Sequence, residues 1–226
     1  MGGFLFFSIS IGSAIALLFS RLFQHTTQGL SLLSGSFLIG LLVFEIIPTS
    51  FTMYKPGSII LGLVLGYLFF QLLDGIFHPA IQKNSSVYLL TAAIFIHTIP
   101  LSLTIGNLLV TSAFSVAIIT SLILHHIPEG FALTTAFISQ GEKLQNLFLC
   151  FIGLSTVFSF FVWVGFSIAL SAEAQGLLMG FSISLIATTS ISEFIIQNIR
   201  ALPKQLIWSF IVLGFLLSYG FLFVVG

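Results

Sequence analysis

Apolar runs long enough to cross a bilayer follow one another along almost the whole chain, separated by only a few polar residues. About 20 apolar residues in a helix cross a bilayer core. Polar punctuation divides the 226 residues into eight such stretches: 3–20, 29–53, 57–77, 87–110, 113–139, 144–170, 175–199 and 205–225. Six acidic and six basic residues are the entire formal charge, and mean hydropathy is +1.20. A soluble domain is about one quarter charged and could not cover its surface with so few. A membrane barrel would need alternating strands, which unbroken apolar runs do not provide. The expectation is therefore an all-α polytopic protein in the lipid bilayer of the cell membrane, forming a single transmembrane domain over residues 1–226. Zero net charge gives no basic field for nucleic acid, and the single cysteine, Cys150, excludes an internal disulfide or a CxxC metal knuckle.

Basic residues predict the orientation. Arg21, Lys83, Lys143, Arg200 and Lys204 fall in odd-numbered loops and only Lys55 in an even-numbered one. Loops rich in Lys and Arg stay cytoplasmic, which places both termini outside. The first stretch has neither a positive leader nor a small-residue cleavage site, so it reads as a retained span.

Ionisable groups inside such spans are the informative residues, because each costs roughly 2.5–3.5 kcal/mol at mid-bilayer on insertion scales. They are Glu45, His97, His125, His126, Glu129 and Glu193, with Asp74 and His78 nearer a span end. Glu45, His97 and His125 each stand three residues before a proline (Pro48, Pro100 and Pro128). Proline removes a helical hydrogen bond, so a bend is expected at each, with backbone carbonyls exposed beside a polar side chain. His125 and Glu129 are four apart and share a helix face, with roughly 6 Å between Cβ atoms. His126 is three from Glu129 but about 100° round the helix from His125. It either supports the same site or faces another helix. His97 and His125 lie symmetrically about residue 111, and Glu129 and Thr156 about the Glu142–Lys143 turn. Antiparallel hairpins with equal rise then put all four at similar depth.

Plainer roles compete at several positions. Glu45 is equally suited to hydrogen-bonded contact between helices. Glu193, toward the basic end of its span, can snorkel to the surface. Asp74 and His78 suit the interface, and Thr156 suits helix packing.

The run His125-His126-Ile127-Pro128-Glu129-Gly130, followed by Phe131-Ala132-Leu133, resembles the HNxPEGxA signature of the ZIP (Zrt/Irt-like) metal transporters. Phe44-Glu45-Ile46-Ile47-Pro48 is similar to the family's second-span E-x-L-P segment. Gly66 and Tyr67 through Asp74 and His78 are similar to its third span, Gly153 to Thr156 to the sixth, and Ser192-Glu193 to the seventh. The family topology has eight spans with both ends outside. The chain departs from the pattern at two carboxylates. The fourth span reads His97-Thr98-Ile99-Pro100-Leu101-Ser102, with Leu101 for glutamate and Thr98 for asparagine, and Thr156 replaces a sixth-span glutamate. The family's binuclear centre shares those carboxylates, so the residues present suit one ion, held by His97, His125 and Glu129 with His126 as a fourth ligand.

Imidazoles with one carboxylate favour zinc or another late divalent metal over calcium or magnesium. The resemblance implies a non-enzymatic permease with Zn2+ as transported substrate, meeting the ion at mid-depth and releasing it toward Glu193, Asp74 and His78. It further implies an elevator-like movement and admits a homodimer, neither of which follows from spacing. The competing expectation is a degenerate, transport-incompetent relative acting as metal sensor or partner-binding scaffold. An intramembrane metalloenzyme has no support, since HExxH is absent.

Overall fold

The apolar runs form long helices, and no strand occurs among the described residues. A computed structural model describes the backbone of residues 1–22, 27–80, 85–111, 116–168 and 170–225. Within these, the side chains of residues 22, 27, 77–80, 85, 86, 89, 108, 110, 111, 116–125, 224 and 225 are not described. The helices are α1 (Gly2–Leu22), α2 (Thr27–Leu41, continued by a π-helical turn Leu42–Ile46 and by Ile47–Met53), α3 (Pro56–Ala80) and α4 (Ser85–Thr111). Then come α5 (Val116–Ser139), α6 (Leu144–Ser167), α7 (Ala172–Thr189, continued by a second π-helical segment Ser190–Ile196 and by Gln197–Ile199) and α8 (Lys204–Val225). These limits follow the apolar stretches to within about three residues, because transfer into lipid is a local property of the sequence.

Among the described residues, seven of these helices are long and apolar enough to cross a membrane. The remaining one, α5, carries the ionisable run. Large apolar side chains cover the outside, including Phe7, Leu18, Leu68, Trp163 and Trp208. A soluble monomer does not expose apolar surface on this scale.

Close packing comes from small residues. Without a hydrophobic drive between helices in lipid, backbones approach where side chains are absent. Gly12 of α1 lies on the Ile127 carbonyl of α5, and Gly130 of α5 lies on the backbone of Ile9. Gly106 and Gly165 do the same for α4 and α6 and Gly62 and Gly180 for α3 and α7, while between α2 and α8 Gly214 meets the Leu33 carbonyl and Gly40 the Ser218 side chain. Helices α1, α4, α5 and α6 supply most of the largest apolar core, which contains Ile9, Leu90, Leu133, Phe151 and Phe158. Helix α7 packs against α4 as well as α3, and α2 against α5 and α7.

Hydroxyls buried among these helices are mostly satisfied within their own helix, as in Ser34 to the Leu30 carbonyl (2.9 Å) and Thr98 to the Ile94 carbonyl (2.6 Å). The turn after α5 is closed by Gly141 at φ 70°, where glycine carries no Cβ penalty. The Glu142 N–H donates to the Phe137 carbonyl and the Gly141 N–H to the Ile138 carbonyl, a Schellman cap.

The helix type differs among the three prolines. Pro100 and Pro128 sit inside uninterrupted α-helices. Only Pro48 accompanies an irregularity. Its ring would crowd the carbonyl four residues back, that of Phe44, and the wider π-helical turn Leu42–Ile46 contains that residue.

Candidate metal centre

Three ionisable side chains meet at the centre of the bundle. Glu129 of α5 is 4% exposed, His97 of α4 3% and His126 of α5 0%. One carboxylate oxygen, Oε2, is 2.8 Å from His126 Nδ1, and the other, Oε1, is 3.1 Å from His97 Nε2. The carboxylate is thus clasped between imidazoles from two helices. A lone buried carboxylate would bear a desolvation penalty of several kcal/mol, and two ring nitrogens offset it. Phe158 of α6, itself buried, meets the His126 ring edge-on with centroids 5.8 Å apart. That contact fixes the imidazole's rotation.

Two of the expected ligands, His97 and Glu129, are therefore brought together, and His126 supports the same site rather than facing another helix. An i,i+3 pair on a helix is as close as an i,i+4 pair, so the spacing of His126 lets it reach Glu129. The His125 side chain lies outside the described residues, as does that of His78. Among the described residues, no group of three or more His, Cys, Asp and Glu side chains is arranged to hold a metal ion.

Two cavities flank the cluster along the length of α2. One, of about 150 Å³, lies toward the Tyr54 end and is lined by Glu45, Thr49, Tyr54, His97, Leu101 and Met179 among others. Glu45 is half-buried on the π-helical turn of α2, so it shares a largely apolar cavity with a member of the cluster. The other, of about 190 Å³, lies toward the Gln28 end and is lined by Gln28, Ser31, Ser139, Glu193, Gln197 and Asn198 among others.

Glu193 does not snorkel. It is 5% exposed, its Oε2 accepts from Gln197 Nε2 at 2.6 Å, and its Oε1 accepts from the Ser192 hydroxyl at 3.2 Å. Like Glu45, it sits in a π-helical segment, a type of irregularity that clusters at functional sites. Asn198 Nδ2 takes up the backbone carbonyls of Glu193 (3.1 Å) and Phe194 (3.0 Å).

Two other named residues stay apart. Thr156 lies on the exposed face of α6, where its hydroxyl donates to the Ile152 carbonyl at 2.8 Å. Equal depth did not mean equal facing. Asp74 is half-buried on α3 and lines neither cavity.

Sequence reasoning missed Gln28, Gln197 and Asn198, amides near span ends that read as polar punctuation. It passed over Asn107 as well. Asn107 instead ties α4 to the end of α6, its Nδ2 donating to the Gly165 (2.8 Å) and Ile168 (2.6 Å) carbonyls while its Oδ1 accepts from the Leu170 N–H (3.1 Å).

No protein-family model matches the chain, and no curated protein matches it.

Proposed function

We propose that the chain is a multi-pass membrane permease for a divalent metal ion, with zinc as the leading substrate, and a relative of the ZIP transporters. The observation that carries this reading is the buried carboxylate of Glu129 held between His97 and His126, with His97 open to a cavity that also contains Glu45. Ionisable groups inside a bundle of apolar helices are expensive, and a pathway for ions is the usual reason to keep them.

The chemistry is a change of partners. Two ligand atoms each about 2.0–2.1 Å from a tetrahedral zinc ion lie roughly 3.3 Å apart. His97 Nε2 and Glu129 Oε1 stand 3.1 Å apart, so an ion could take the place of their contact with little movement. That exchange needs the lone pair of Nε2, which the other tautomer of a neutral imidazole supplies. His126 would keep the second carboxylate oxygen in place.

Under the topology set by the basic residues, eight spans place both termini outside. The Glu45–His97 cavity then opens outward and the Glu193 cavity inward. Between Glu129 and the inner cavity α5 places Ala132 and Leu133, both buried. This arrangement corresponds to a site approachable from outside and closed toward the cytoplasm.

Uptake of radiolabelled zinc into proteoliposomes tests the reading, with Glu129→Ala and His125→Ala as controls. Saturable uptake by wild type that both variants lose is the expected result. Equal leakage by all three would overturn it.

One observation favours a second reading. Among the described residues the two carboxylate oxygens of Glu129 each face an imidazole, and the chain has Leu101 and Thr156 where the family pattern has carboxylates. A transport-incompetent relative, sensing metal or holding a partner, would keep the fold and lose the ion. Metal binding at equilibrium without saturable uptake would select that reading.

A further inference from the structure

Helix α7 runs past both cavities. Met179 and Ile183 line the one that contains His97, and Glu193, Phe194, Gln197 and Asn198 line the other. Between them lie Thr189 and Ser190, 1% and 0% exposed, where α-helix gives way to the π-helical segment Ser190–Ile196. Neither hydroxyl has a hydrogen-bond partner among the described residues. This sets them apart from the hydroxyls of Ser34, Ser36, Thr98, Thr134 and Thr135, each spent on the carbonyl four residues back. A buried hydroxyl left without a partner costs about 1–3 kcal/mol, so two in succession call for a polar guest.

Their position says what that guest could be. Ser190 is seven residues after Ile183, on the stripe of α7 that lines the His97 cavity, and Thr189 is four residues before Glu193, about one turn of the π-helical segment. Gly35 of α2 faces the Ser190 carbonyl and Phe194, and Ser31, one turn earlier on α2, lines the Glu193 cavity. Thr189 and Ser190 therefore stand about one turn from Glu193 along α7. Ile186, buried and one turn before Ser190, lies along α7 between the hydroxyls and Ile183 of the other cavity.

We propose that Thr189 and Ser190 form a hydrated step joining the two cavities, where a divalent cation in transit exchanges water for hydroxyl oxygens before it reaches Glu193. The cation's passage rests on the transport reading; the hydration does not.

The experiment separates the two. In a Cys150→Ser background reconstituted in nanodiscs, Ser190→Cys is treated with a small water-soluble methanethiosulfonate. Ser139→Cys, in the inner cavity, is the reactive control, and Leu185→Cys, in the core, the inert one. Labelling of Ser190→Cys at least about tenfold faster than Leu185→Cys is expected, equivalent to about 1.4 kcal/mol in access. Labelling as slow as Leu185→Cys, with Ser139→Cys reactive, would overturn the proposal.

Thr189→Val with Ser190→Ala should also slow zinc uptake by about tenfold, at unchanged equilibrium binding of Co2+ to the central cluster. Unchanged uptake, or a gain in thermal stability alone, would mean that the hydroxyls only pack. If wild type takes up no metal while Ser190→Cys is labelled, the transport reading fails and the hydrated step stands.

Discussion

Helices α4 and α5 carry the same local phrase, a histidine three residues before a proline inside an unbroken helix, but α5 follows the proline with Glu129 and α4 with Leu101. The difference divides the labour at the centre of the bundle. Helix α5 supplies the carboxylate and the imidazole that orients it, while α4 supplies one imidazole facing a cavity. Leu101 lines that same cavity beside His97 and Glu45, so its apolar side chain stands where a second carboxylate would make the two helices equivalent. The site keeps a single fixed negative charge at its core, with Glu45 as a half-buried neighbour.

The sharpest way to break this comparison is Glu129→Ala. It leaves two buried imidazoles without their acceptor, and uptake should fall to background. Stability should drop by about 2–6 kcal/mol, at about 1–3 kcal/mol for each group left without a partner, measurable by thermal melting in detergent. Glu129→Gln retains an acceptor oxygen and should lose uptake with a smaller loss of stability. His97→Ala removes the cavity-facing ligand alone. Uptake should fall by about tenfold to a hundredfold, with a melting temperature less affected than in Glu129→Ala, because Glu129 keeps its His126 bond.

Leu101→Glu restores the symmetry between the helices. A second carboxylate beside His97 should tighten Co2+ binding by about tenfold, read from the visible spectrum during titration, and slow release in single-turnover uptake. The smallest effect belongs to Thr156→Ala. Its hydroxyl serves its own helix on an exposed face, so stability should change by no more than about 0.5 kcal/mol and uptake not at all. A large loss there would mean that α6 turns its other face to the ion.

Legibility in the sequence followed the range of the physics. Helix limits are set by local transfer of side chains into lipid, so the apolar stretches anticipated them closely. Glu129 and His97 could be singled out because a buried charge announces itself by its cost. That His126 would engage Glu129 could not be read the same way. Its spacing allows the contact without requiring it, and the outcome depends on the rotation of α5. That rotation is set by contacts distant in sequence: Gly12 against Ile127, Gly130 against Ile9, and the Phe158 ring against His126.

The irregular turns belong to the same class. Nothing local distinguishes Pro48, which accompanies a π-helical turn, from Pro100 and Pro128, which do not. Nor does composition reveal that Glu193 would be enclosed with Gln28 and Ser31 of α2 instead of reaching the surface. By itself the chain determined that it would be helical, where its helices begin and end, and which few polar groups would have to be accommodated among them. Tertiary structure alone decided which of those groups meet, since facing and enclosure arise when glycine-lined backbones from opposite ends of the chain press together.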